Sequence, residues 1–141
     1  MVLIADNNQF TGIGDGLLNS TGLVYFDLSN NLLQGVILSW FGGFHFMYFS
    51  VSDNLLNGTI PSSLFNIPFK LLDLSRNKFS GSLPSNFSGR DMGLLYLYDN
   101  EFSGPVPRSV RASRRMFASI GVEAKLFFAL SNNVRNGLLS D

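Results

Sequence analysis

Apolar residues along the first hundred positions alternate over a few residues, break at an asparagine and then resume. Two stretches show the pattern most fully: Phe26-x-Leu28-x-x-Asn31-x-Leu33-x-Gly35-x-Ile37 and Leu72-x-Leu74-x-x-Asn77-x-Phe79-x-Gly81-x-Leu83-Pro84. An apolar period of two puts alternate side chains on one face of an extended segment, so each leading pair predicts a short strand with that face buried. The polar residues between the pairs are expected on the opposite face.

The pattern repeats. Asparagine recurs at Asn8, Asn31, Asn54, Asn77 and Asn100, always 23 residues apart, and glycine follows four positions later at Gly12, Gly35, Gly58, Gly81 and Gly104. A fixed period of this length marks a solenoid, in which each repeat adds one slice to a continuous core. Stacked slices bring equivalent strands side by side, roughly 4.8 Å apart, as a parallel sheet. At each strand end the chain turns inward with backbone groups unpaired, and a buried asparagine amide offers donors and an acceptor to satisfy them. The glycine fits a place where φ is positive or backbone meets backbone. Pro61, Pro84 and Pro107 then open the outer segment, where a fixed φ helps and a missing N–H costs little. Leu38 stands in that place in the second repeat and Gly14-Asp15 in the first, which predicts looser turns there.

Asp53 to Pro61 and Ser75 to Pro84 resemble the plant leucine-rich repeat, LxLxxNxLxGxIP, nearly verbatim, and the likeness covers about three quarters of the chain. The resemblance implies an α/β-type repeat solenoid, a right-handed superhelix or horseshoe segment. Its concave face would carry a short parallel β-sheet and its convex side irregular or three-ten segments. Ser62-Ser63-Leu64-Phe65 and Ser85-Asn86-Phe87 would supply such segments, with Leu64, Phe87 and Val110 pinning the convex side to the core.

Residues 1–107 therefore read as about five repeats, and residues 108–141 as a divergent basic tail. The next ladder position is Glu123 and its glycine position Phe127, so the register stops. Met116, Ile120, Ala124 and Phe128 lie four apart on one face of a possible C-terminal helix. Leu130-Ser-Asn-Asn133 with Gly137 copies the ladder wording ten residues out of phase, either as a degenerate repeat or by coincidence. Met1 falls within a strand, without the basic start and cleavage site of a signal peptide, and this predicts a fragment of a longer receptor.

Composition sharpens this picture. The net charge is zero, yet residues through Pro107 carry four basic and eight acidic side chains, and those from Arg108 on carry six and two. Four arginines between Arg108 and Arg115 read as a solvated tail rather than a nucleic-acid or lipid contact. No run of apolar residues is long enough to span a bilayer. With no cysteine and only His45, a solvent-facing loop residue, the sequence offers no metal site, cofactor site or nucleophile–base pair. Gly12-Ile-Gly-Asp-Gly16 lacks the last glycine of a phosphate-cradling loop, since position 17 is Leu17.

The residues between core pairs align as Val2, Tyr25, Tyr48, Leu71, Leu94; as Ile4, Asp27, Ser50, Asp73, Tyr96; and as Asp6, Ser29, Ser52, Ser75, Tyr98. Tyrosines and carboxylates on a rigid face suit protein or peptide recognition, which makes Tyr25, Asp27, Tyr48, Asp73, Tyr96 and Tyr98 the candidate binding face. Asn19, Asn57 and Asn86 open N-glycosylation acceptor triplets.

The family resemblance implies a non-catalytic recognition module, like the ectodomain of plant receptor-like proteins in cell-surface signalling or defence. Its partners would be a peptide or protein ligand and a co-receptor kinase, at the outer face of the plasma membrane. A truncated, non-functional gene product is the alternative, as is a secreted leucine-rich-repeat inhibitor or scaffold.

Overall fold

The computed structural model describes residues 1–85, 92–105 and 107. Five short strands, β1 (Val2–Ile4), β2 (Tyr25–Asp27), β4 (Tyr48–Ser50), β6 (Leu71–Asp73) and β8 (Leu94–Tyr96), pair side by side in one parallel sheet. Between them run β3 (Gln34–Gly35), β5 (Leu55–Gly58), β7 (Lys78–Gly81) and β9 (Glu101–Phe102), which form a second, four-stranded parallel sheet. Each 23-residue repeat from the second onward thus gives one strand to each sheet. The return path is three-ten, at Asp15–Leu17, Ser39–Gly43 and Ser62–Asn66. The expected segment at Ser85-Asn86-Phe87, the anchors Phe87 and Val110, and the C-terminal helix lie outside the described residues.

The asparagine column explains why slices stack in this register. Asn54 Nδ2 donates to the carbonyls of Val51 (3.0 Å) and Ser52 (3.1 Å) in its own turn, and to Leu28 (3.0 Å) in the turn before. Its Oδ1 accepts from the backbone N–H of Leu33, again in the preceding repeat, at 2.9 Å. Asn31, Asn77 and Asn100 repeat this set, accepting from Phe10, Leu56 and Phe79. All four are buried. Asn8 differs: it is exposed, and its amide reaches only Ala5 and Asp6 of its own turn. With β1 at the edge of the sheet, Asn8 has no earlier turn to join within this chain, so it is not the buried rung expected.

Gly35, Gly58, Gly81 and Gly104 all take positive φ, between +73° and +85°. At Gly81 a second constraint acts, because a Cβ would lie 2.8 Å from Thr59 Cγ2 of the previous repeat. Gly12 satisfies neither expectation: its φ is not positive and a Cβ there would meet nothing within 4 Å. The first repeat contributes no strand to the second sheet, so its chain never makes the turn that requires glycine.

Between the sheets lies a phenylalanine-rich core. Phe26 and Phe49, equivalent residues of β2 and β4, stack at 5.0 Å with 9° between ring planes, and Phe41 and Phe46 close around them. Flat rings at one repeat position sit at nearly the strand spacing, so equivalent phenylalanines stack in the core. Leu64 and Phe65 of the third three-ten segment are buried, which fixes the outer path to the core as expected of Leu64. The turn after Leu38 is not loose. Leu38 takes φ −78° and ψ 140°, close to the −59° and 133° of Pro61, and the three-ten segments that follow have five residues each. Trp40 and Phe41, stacked at 4.1 Å, hold that segment without proline.

The ladder makes a graded prediction. Asn77→Ala leaves the buried Leu56 N–H without its acceptor and takes one of two donors from each of the Val51, Leu74 and Ser75 carbonyls, and is expected to cost about 1–3 kcal/mol, the cost of one orphaned buried group. Asn8→Ala, at an exposed end, is expected to cost less than about 1 kcal/mol. Urea unfolding midpoints of the two variants measure the difference.

Candidate functional site

Strand pairing brings the polar residues of successive repeats into columns across the five-stranded sheet. Val2 pairs with Tyr25, Tyr25 with Tyr48, Tyr48 with Leu71 and Leu71 with Leu94. Ile4, Asp27, Ser50, Asp73 and Tyr96 form the neighbouring column in the same register. Five of the six candidate residues, Tyr25, Asp27, Tyr48, Asp73 and Tyr96, therefore share one face, and Tyr98 follows two residues past the end of β8. Tyr25 and Tyr48 lie ring on ring, 4.1 Å apart and 2° from parallel. Tyr96 and Tyr98 meet edge to face at 6.3 Å.

The serines of these columns behave differently from the expectation that they face outward freely. Ser50, Ser52 and Ser75 are buried, because their short side chains sink between larger neighbours and turn to them for hydrogen bonds. Ser75 Oγ donates to Asp73 Oδ1 at 2.6 Å, the Ser75 N–H reaches the same oxygen at 3.0 Å, and Ser50 and Ser52 pair their hydroxyls at 3.3 Å. Asp27 repeats the arrangement with Ser29, at 2.7 Å for the hydroxyl and 3.0 Å for the N–H. Each aspartate is thereby held by one oxygen and presents the other.

Burial raises the Asp73 carboxyl above its ordinary value, and the negative charge of Asp53 adds to the effect; the Ser75 hydrogen bonds and Arg76 oppose it without cancelling it. Tyr48 is also pushed well up, by burial first, then by its hydrogen bond with Tyr25 and the charge of Asp27. Its phenol is therefore neutral at physiological pH.

One column escaped the sequence reading. The residue before each ladder asparagine, Asn7, Asn30, Asp53, Arg76 or Asp99, has φ between 52° and 55°. Asparagine and aspartate tolerate this left-handed region better than most side chains, so their recurrence at a 23-residue period was the available signal. Arg76 is the exception. Its guanidinium contacts both oxygens of Asp53 (2.9 and 3.2 Å), approaches Asp99 at 3.9 Å and lies over the Tyr98 ring at 5.4 Å. That hydrogen bond to Asp53 raises the Arg76 pKa. Because both partners of the pair are about half exposed or somewhat less, the pair orders the surface more than it stabilises the fold. His45 is exposed, as expected of a loop residue. Among the described residues no helix is long and apolar enough to cross a membrane.

Asp73 gives a signed pH prediction. Its folded pKa is raised, so the stability linked to its protonation is fully present below the usual carboxylate range and is lost as pH rises through the raised value. Asp73→Asn keeps an oxygen for Ser75 and removes the charge. The variant should be at least as stable as the parent at pH 7, and its advantage should shrink as the pH is lowered toward 4; urea midpoints across that range read the trend.

The columns, ladder and turns have counterparts in known proteins. A family model described as Leucine Rich Repeat matches residues 22–44 and 69–89. Receptor-like protein 9a of Arabidopsis thaliana is 76% identical over 45 residues, which are 32% of this chain and 5% of that relative. The structure of the plant peptide hormone receptor RGFR1 in complex with RGF2 superposes with a TM-score of 0.74 and 27% identity, covering 82% of this chain and 19% of that one. The PEPR1–AtPEP1 structure follows at 0.68 and 31%, covering 80% and 16%. The chain thus corresponds to a small part of the length of each of these proteins. With the ladder, the parallel register and these matches together, this chain is a leucine-rich-repeat solenoid of the kind found in the ectodomains of plant receptors and receptor-like proteins.

Proposed function

We propose that this chain is a non-catalytic recognition module that binds a peptide or protein ligand on the exposed face of its five-stranded sheet. The observation that carries the reading is the Tyr25–Tyr48 pair, held ring on ring beside Asp27 and Asp73 on a sheet whose register the ladder fixes. Rigid tyrosines supply contact area with a polar tip at little entropic cost, and carboxylates beside them set orientation. Two solved relatives support it by their own contents: RGFR1 is described as a plant peptide hormone receptor in complex with RGF2, and PEPR1 is paired with AtPEP1.

On this reading residues 1–107 are the recognition part and 108–141 a separate basic tail. The module works at the outer face of the plasma membrane in signalling or defence, and a co-receptor kinase carries the signal onward. Asn19 and Asn57 are exposed, as glycosylation there requires; Asn86 lies outside the described residues.

The test is binding of the folded recombinant chain to a panel of secreted plant peptides and co-receptor ectodomains. At least one should bind saturably, and Tyr25→Ala/Tyr48→Ala should weaken it by about tenfold or more, as loss of central aromatic anchors does. Absence of saturable binding across the panel, with the chain shown to be folded by circular dichroism, overturns the reading. Expressed behind a secretion signal in plant cells, the chain should lose mass on peptide-N-glycosidase treatment, and Asn19→Gln/Asn57→Gln should reduce that loss.

A further inference from the structure

The exposed face of the five-stranded sheet is divided lengthwise into two lanes. Along the N-terminal ends of the strands Tyr25, Tyr48, Leu71 and Leu94 form one half-buried column, and the residues just before them run Val24, Met47, Lys70 and Gly93, the first three exposed. Exposed apolar side chains scattered singly mean little, but a continuous lane beside charged groups marks a contact surface.

Two positions further along the strands the chemistry changes. Asp27 on β2 and Asp73 on β6 flank Ser50 on the strand between them. Strands lie about 4.8 Å apart, which sets the two carboxylates roughly 10 Å from each other. Ser50, short and only 2% exposed, lies beneath the surface, so the strand between the two aspartates offers no charge of its own. Each aspartate commits Oδ1 to the serine two residues on, and among the described residues neither Oδ2 has a hydrogen-bond or ion-pair partner. Of the two cations within three residues of Asp73, Arg76 is already held by Asp53, and Lys70, at the opposite end of β6, forms no ion pair among the described residues. Tyr48 stands two residues before Ser50 on β4, on the same face as the two aspartates.

We propose that this face takes an extended basic peptide lying across the strands. Its apolar side chains run along the Tyr25–Tyr48 lane, and an arginine or lysine sits over Ser50 between Asp27 and Asp73. Charge complementarity selects the occupant: two preoriented carboxylate oxygens without a cation repel an acidic segment and accept a guanidinium fork, whose plane also suits the Tyr48 ring. The apolar lane in turn discriminates against a purely polar polycation. This inference rests on the recognition reading and names the chemical class of its ligand.

The test uses the full chain and three fluorescent peptides of equal length, alternating leucine with arginine, leucine with glutamate, and serine with arginine. The leucine–arginine peptide should bind saturably, the leucine–glutamate peptide should not bind, and the serine–arginine peptide should bind about tenfold more weakly or worse. Asp27→Asn/Asp73→Asn, which keeps the oxygens that hold the serines, should melt no lower than the parent. It should lose about tenfold or more in affinity for the leucine–arginine peptide. Equal binding of the acidic peptide, equal binding of the serine–arginine peptide, or unchanged affinity in the double variant overturns the proposal. So does a gain of tenfold or more when Arg108, Arg111, Arg114 and Arg115 are changed to glutamine, which would make the chain's own basic segment the occupant. If no probe peptide binds while a panel ligand still binds through Tyr25 and Tyr48, the basic-peptide inference fails and the recognition reading stands.

Discussion

Every slice after the first closes on one side-chain amide that must satisfy backbone groups of two turns at once. Asparagine suits the place because its amide carries two donors and an acceptor on a short stem. Aspartate would bring a charge and no donor into a buried turn, and serine a single donor. Since the acceptor of each rung takes an N–H from the preceding repeat and one donor reaches a carbonyl there, neighbouring repeats share their satisfaction. Stability therefore belongs to pairs of repeats rather than to any one of them. Asn8, at the sheet edge, shows the same residue without that partnership: exposed, and bonded only within its own turn.

Once the ladder sets the spacing, the rest of the interior follows from it. Phe26 and Phe49 stack because equivalent positions recur at the strand spacing, and Gly81 stays glycine because its φ is positive and the previous repeat comes within 2.8 Å of where a Cβ would be. The turn that places the asparagine also forces the residue before it into the left-handed region, on an exposed site. Backbone demand and surface chemistry thus meet in one column. Asp53 and Asp99 satisfy both, while Arg76 accepts the backbone strain and is held by the two of them and Tyr98.

The exposed face of the five-stranded sheet inherits its rigidity from this frame. Its tyrosines are ordered by strand register, and its aspartates are each pinned through one oxygen by a serine that the sheet has drawn inward. Partial burial disfavours the charged forms of both Tyr48 and Asp73, raising the pKa of each.

The sequence alone determined the period, the identity of the rungs and the alignment of the columns, because a 23-residue repeat leaves one in-phase way to stack. Tyr25 above Tyr48 and Asp27 two strands from Asp73 could be written down from spacing. Tertiary structure decided what depends on neighbours from other repeats. Leu38 makes the turn that proline makes elsewhere, aided by Trp40 and Phe41 packing; Ser50 and Ser75 sink below their larger neighbours; and Gly12 and Asn8 share a motif with the other repeats but not their environment. Periodicity specifies which residues are equivalent, whereas burial, charge and hydrogen bonding depend on what each equivalent residue finds beside it.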